Sequence, residues 1–305
     1  MGEGRRLARA RLVGIVAALG VLVAVVATLV AGSRSTPTPA AVVGEPPPTG
    51  YVAMGDSYTA GPRIPTQLST PPGCERSDGN YPHRVAAALS EPLRDVSCSG
   101  AGTDHLVAPQ PVTGGPNPPQ LDALERNTAV VTLGIGGNDI GFGEIVQSCV
   151  VVLPFGSPCH DRYVGPAGDE ISRRIAATGP KVAAALTEIH RRSPRARVFV
   201  VGYPSILPEG GFGCWPLVPF SFGDVSWLRE KEKELNAMLA STAAAGGAVY
   251  VDTYGPSGGH SACVPPADRW VEPAVITSGA APVHPNARGM EGMARAVLAA
   301  VRPRG

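Results

Sequence analysis

A chain of 305 residues with 44% hydrophobic content can fill the core of one large domain or two small ones. Its 38 glycines and 32 prolines exclude a bundle of long helices and point to a fold rich in turns. The net charge of +1 is uneven: residues 1–49 hold five arginines against two glutamates, so the remainder is slightly acidic and offers no basic face to a nucleic acid.

In chain order, Arg5, Arg6, Arg9 and Arg11 precede an uncharged apolar run from Leu12 to Gly32. At ~1.5 Å rise per residue a helix of that length spans a bilayer core of ~30 Å. Residues 1–32 therefore read as an export segment. One form is a retained anchor that contacts the membrane, with the arginines held inside; the other is a signal peptide that is removed. Residues 33–49, with prolines at 37, 39, 46, 47 and 48, read as a linker. Six cysteines, an even number, suit an oxidising compartment, and spacing alone leaves their pairing open. No C-x-x-C occurs, so a structural zinc site is not expected.

From residue 50 to 303, apolar β-branched runs alternate with helical patterns. Strands are expected at 51–54, 93–98, 129–135, 197–203 and 248–252. Helical periodicity joins Val182, Leu186 and Ile189, then Leu228, Leu235 and Leu239, and finally Met290, Met293, Ala294, Val297, Leu298 and Val301. This alternation predicts one α/β domain, a three-layer αβα sandwich around a five-stranded parallel sheet. Ligands of such sheets sit beyond the carboxyl ends of the strands, so the loops that follow the strands are where chemistry is expected.

Those loops hold Gly55-Asp56-Ser57, then Ser99-Gly100-Ala101-Gly102, then Gly136-Gly137-Asn138-Asp139, and, before the last helix, His284-Pro285-Asn286. Each block alone has an ordinary reading: Gly-Asp-Ser as a helix N-cap, Gly-Gly-Asn-Asp as a turn, His284 as a residue near a cap. Together they place a nucleophile, small donors and a base on one sheet edge. Two other patterns fit less well. Gly255-Pro256-Ser257-Gly258-Gly259 matches G-x-S-x-G, but no helix pattern follows it. The glycines from Gly134 to Gly141 have Asp139 where a dinucleotide fingerprint needs its third glycine.

The ordered set resembles the GDSL, or SGNH, hydrolases over roughly residues 50–300, and most closely their secreted SEST-like lipases and esterases. The resemblance implies the flavodoxin-like SGNH fold and a carboxylic ester hydrolase that uses no cofactor or metal. It implies Ser57 as nucleophile, His284 as base, and an oxyanion hole built from Ser57, Gly100 and Asn138. It also implies disulfides Cys74 to Cys98, Cys149 to Cys159 and Cys214 to Cys263. Many members carry an aspartate three residues before the histidine, where this chain has Ala281. The resemblance to SEST-like members that use a main-chain carbonyl instead suggests that of Ala281 as the group orienting His284, with Asp252 and Asp268 as the alternative acids. The aromatic stretch from Gly211 to Leu228 reads either as an acyl pocket or lipid-facing segment or as a satellite core. The expected activity is hydrolysis of small-molecule or lipid esters with short to medium acyl chains, by an exported monomer. Removal of acetyl groups from carbohydrates and, from another class, non-catalytic wall or glycan binding are the alternatives.

Overall fold

The computed structural model describes residues 47–302, apart from 276 and 278. Residues 1–32, read as an export segment, and nearly all of the linker lie outside the described residues. Among those described, no helix is long and apolar enough to cross a membrane.

The five apolar runs pair into one parallel sheet. Strands β1 (Thr49–Gly55), β2 (Leu93–Asp95), β3 (Thr128–Gly134), β4 (Arg197–Val201) and β5 (Val249–Val251) lie side by side in the order β2-β1-β3-β4-β5. Successive strand residues point to opposite faces, and both faces are buried. Tyr51, Ala53, Val130, Phe199 and Val201 share one core with Tyr81 and Val85 of α2 (Tyr81–Leu89) and with Met290, Met293 and Val297 of α7 (Ala287–Val301). Val52, Met54, Val131, Leu133, Val198 and Val200 share the other with α5 (Glu170–Arg192) and α6 (Val225–Ala245). The short helices α1 (Ser57–Ala60), α3 (Phe142–Ser148) and α4 (Pro158–Tyr163) sit in the loops between these layers.

Helix α5 begins well before the periodic stretch seen in the sequence and runs through Pro180. Asp169 caps it by accepting the Ser172 N–H, and Ile171, Ile175, Thr178, Val182, Leu186 and Ile189 form one buried stripe. Burial of that stripe outweighs the roughly 3 kcal/mol that an internal proline costs.

The chain leaves β1 toward β2 on one side and later returns to β3 on the other, so the strand order reverses between β1 and β3. This switch point opens a crevice at their carboxyl ends. Gly55 and Gly134 are register partners there. A Cβ on Gly134 would lie 2.6 Å from the Thr59 hydroxyl, and one on Gly55 would collide with the same side chain. Two bare glycines thus let α1 settle onto the ends of both strands.

The disulfides join Cys74 to Cys98, Cys149 to Cys159 and Cys214 to Cys263, a sequential pairing. The first ties a loop to the end of β2. The other two close the loops that rise around the crevice.

Candidate active site

Ser57 stands at the first position of α1, directly after β1. Asp56 is the N-cap, its carboxylate accepting the Tyr58 N–H at 2.9 Å. As the first helical residue, Ser57 has a backbone N–H with no acceptor inside the helix. The Ser57 hydroxyl meets His284 Nε2 at 2.8 Å, so residues 227 positions apart form one pair.

The other ring nitrogen of His284 fixes its tautomer. Nδ1 lies 2.7 Å from the carbonyl oxygen of Pro282. A carbonyl can only accept, so Nδ1 carries the proton and the Nε2 lone pair faces the serine hydroxyl. The sequence had pointed to the carbonyl of Ala281 instead. That oxygen accepts the backbone N–H of His284 at 3.3 Å, and the ring reaches the next carbonyl along. The cause is Val283, whose φ of +59° turns the chain sharply between Pro282 and His284. Asp252 accepts the Gly255 N–H, and the Asp268 carbonyl faces the ring of His260. Neither aspartate is a partner of His284.

A β-branched residue in the left-handed region is strained by about 1–3 kcal/mol and persists only where its surroundings over-determine it. Here they do. The Val283 N–H donates to the Glu272 carbonyl, the Glu272 N–H to the His284 carbonyl, and the Tyr58 hydroxyl to the Val283 carbonyl at 2.6 Å. The Tyr58 ring also lies against the His284 ring, 5.0 Å between centroids. Tyr58 therefore positions the histidine from the residue after the serine. Tyr58→Phe leaves a buried carbonyl unpaired at a cost of about 1–3 kcal/mol. The expected result is a Tm lower by several degrees and a kcat several-fold lower with KM little changed, measured by calorimetry and initial rates; unchanged kcat and Tm would count against this role.

Burial lowers the pKa of His284 below that of a free imidazole. The nearby Arg63 cation lowers it further, against the opposing bond to Pro282. The ring is thus held neutral, the form that can accept a proton.

Asn138 follows β3 and shares the wall of a pocket with Ser57. Its side-chain amide donates to the Ala101 carbonyl at 2.9 Å, and a primary amide has a second N–H to give. Gly100 lies one residue before that carbonyl, in the left-handed region at φ +79°, but is not part of the pocket wall. Around it the turn uses the N–H groups of Cys98, Ser99 and Ala101. Asp139 anchors the same two loops together by accepting the Thr103 N–H at 3.0 Å.

A further clamp reaches the serine loop from β4. The Gly137 N–H donates to the Tyr203 hydroxyl at 2.8 Å, and that hydroxyl donates to Asp56 at 2.6 Å. Burial pushes the Asp56 carboxyl up to about 7, with the bonds from Tyr203 and Tyr58 restraining the rise. Tyr203 and Tyr58 carry no sequence signal of their own, because buried tyrosines are common in cores. Ser257 is wholly buried, bonded to the Tyr254 carbonyl and the Ser205 N–H, and so holds a turn.

Beyond Ser57 the pocket encloses about 790 Å³, counted out to its open mouth. Its walls are Ile140, Phe142, Ile145 and Val146 from one side and Ile206, Leu207, Phe220, Leu228 and Leu235 from the other. Only Phe220 and Leu228 come from the aromatic stretch seen in the sequence. Trp227 packs partly buried against the core, while Phe212 is largely exposed. Glu232 also lines the pocket, its two oxygens each 3.2 Å from the Ile206 nitrogen. Burial, reinforced by Glu209, pushes its carboxyl up to about 8 despite the Ile206 N–H and Lys233.

Comparison with known proteins places the chain in a family. A family model described as GDSL-like Lipase/Acylhydrolase matches residues 53–291. Lipase 2 of Streptomyces coelicolor is 41% identical over 283 residues, covering 89% of this chain and 92% of its own. Among solved structures, a phospholipase A1 from Streptomyces albidoflavus NA297 superposes with a TM-score of 0.71 at 27% identity, over 84% of this chain and all of the other. An extracellular lipase from Streptomyces rimosus gives 0.70 at 28% identity, over 83% of this chain and all of its own. The match runs from β1 into α7 and includes every loop around the crevice, so the chain belongs to the GDSL-like lipase/acylhydrolase family and is a carboxylic ester hydrolase.

Proposed function

We propose that the enzyme cleaves acyl esters through a Ser57–His284 dyad by way of an acyl-enzyme. The observation that carries this reading is the 2.8 Å contact between the Ser57 hydroxyl and His284 Nε2, with Nδ1 facing the Pro282 carbonyl, at the head of an apolar pocket. A serine hydroxyl is a weak nucleophile at neutral pH, and a neutral imidazole in contact takes its proton as it attacks the ester carbonyl. The proton then passes to the leaving alcohol, and water repeats the sequence to free the acid. Negative charge on the former carbonyl oxygen is met by the N–H of Ser57 and the amide of Asn138, with the Gly100 N–H as the third donor of the set. The Pro282 carbonyl takes the orienting role more often filled by a carboxylate.

Substrate class follows from the pocket. Its aliphatic and aromatic walls suit an acyl chain and offer few partners for sugar hydroxyls, which places carbohydrate deacetylation second. Three disulfides, together with the likeness to an extracellular lipase, support an extracytoplasmic location. The test is a series of nitrophenyl esters. kcat/KM is expected to rise from acetate to about the octanoate and to fall for palmitate; a maximum at palmitate would contradict the short-to-medium preference. Glu232 adds a pH signature. As pH rises through about 8 its carboxyl ionises inside the pocket, so KM for the octanoate increases while KM for the acetate changes little. Glu232→Gln removes that dependence, and a KM flat to pH 9 in the unaltered enzyme would contradict it.

A further inference from the structure

Two loops next to the pocket carry no charged residue at all: Cys149 to Cys159, and Gly210 to Gly223. Each is tied by a disulfide, and they are laced to each other. The Val151 N–H donates to the Pro219 carbonyl, and the Phe222 N–H to the Pro154 carbonyl, both at 2.8 Å. The buried Asp224 accepts from the Cys159 and His160 N–H groups on one loop and from the Ser221 hydroxyl on the other. The backbone is thus held in place and partly satisfied from within, yet the side chains at the tips are turned outward. Val152 is 85% exposed, Phe155 and Phe212 are each 72% exposed, and Leu153 is 66% exposed. Phe222 bridges them, with ring centroids 6.3 Å from Phe155 and 5.8 Å from Phe212. Trp215 stands beside them, partly exposed, its indole N–H directed at the Val151 carbonyl.

Single exposed apolar residues need no explanation, but a contiguous, braced cluster does. The loops adjoin the pocket: Phe220, two residues from Phe222, lines it, and so do Ile145 and Val146 of α3, the helix that leads into Cys149. We propose that the surface formed by Val152, Leu153, Phe155, Phe212 and Phe222 seats the enzyme on a lipid surface, beside the pocket that receives the acyl chain. This rests on the acyl-ester reading above. The absence of charge is what distinguishes the occupant. Hydrocarbon excludes charged side chains at a cost of several kcal/mol, whereas a soluble protein partner would be met by a polar rim and direct hydrogen bonds. With no lysine or arginine in either loop, adsorption through this surface is expected to be as strong on neutral as on anionic lipid and insensitive to salt, unlike any contact made by the arginines at the N-terminus.

The test uses the full chain with Ser57→Ala, so that binding is read apart from turnover, and phosphatidylcholine vesicles with brominated acyl chains, which quench indole fluorescence only on contact. Quenching is expected, and it is expected to disappear in Trp215→Phe. At saturating vesicle, quenching of Trp215, which the apolar run 12–32 does not itself produce, should fall about tenfold or more in Phe155→Glu/Phe212→Glu. With Ser57 intact, the double variant should keep nitrophenyl butyrate hydrolysis within about twofold of the parent while hydrolysis of emulsified tricaprylin falls about tenfold or more. Failure to quench, quenching undiminished by the double substitution, or an unchanged emulsion-to-monomer ratio overturns the proposal. So does a dimer in sedimentation that the double variant dissociates, since a second copy would then be the occupant. Hydrolysis surviving Ser57→Ala would instead refute the nucleophile assignment and leave the quenching result standing.

Discussion

Ser57→Ala is expected to lower kcat for ester hydrolysis by about four to six orders of magnitude, and His284→Ala by a similar amount. The double variant should be scarcely worse than either single one if, as proposed, the two groups perform one step: without the imidazole the hydroxyl keeps its proton, and without the hydroxyl the imidazole has nothing to activate. Additive losses would show that they act separately. The pH profile carries the same information. Activity requires the neutral ring, so it is present above the His284 pKa and lost as pH falls through it. Burial and the Arg63 cation both lower that pKa, so the acid limb should lie below 6.5. Arg63→Ala should move the limb upward, toward the value of a free imidazole.

Asn138→Ala is the second large effect, with kcat down about a hundred- to a thousand-fold and KM nearly unchanged. The side-chain amide gives one N–H to the Ala101 carbonyl, which holds its aim, and on the proposed mechanism its other N–H meets an oxyanion that exists only in the transition state. Asn138→Asp is the sharper control. It preserves size but replaces donors by acceptors and sets a carboxylate where negative charge must develop, so it should be at least as damaging as alanine. A rise in KM at constant kcat would instead make Asn138 a ground-state contact.

The central strands were legible because they are buried on both faces, which leaves apolar runs rich in Val that stand out against a loop-rich chain. Their ends were less so. The second strand reads as extending to Cys98; the regular strand ends at Asp95, whose carboxylate takes the Ser97 N–H and hydroxyl, although the Val96 and Cys98 N–H groups still donate to the Ala53 and Gly55 carbonyls of β1. Helix α5 was legible only in its second half, since Gly179-Pro180 looks like a break and only tertiary burial overrides it. At the site, Ser57, Asn138 and His284 stood out as candidates by lying at strand ends or before the last helix, and the structure brings Ser57 and His284 into contact beside Asn138. The orienting carbonyl was misplaced by one residue because local preference gives no hint that Val283 adopts a positive φ; hydrogen bonds from Tyr58 and to Glu272, distant in sequence, impose it. Aromatic density around residues 211–228 was visible, but which rings face the core, the pocket or solvent depends on the laced partner loop.

The account stands on Ser57 being the attacking group, made reactive by His284. Treatment with a fluorophosphonate probe followed by peptide mass spectrometry tests this most directly. The predicted result is one adduct, on the peptide containing Ser57, absent in Ser57→Ala and formed at least about a thousand-fold more slowly in His284→Ala. An adduct on Ser257 or another serine, or labelling of Ser57 at full speed without His284, would contradict it.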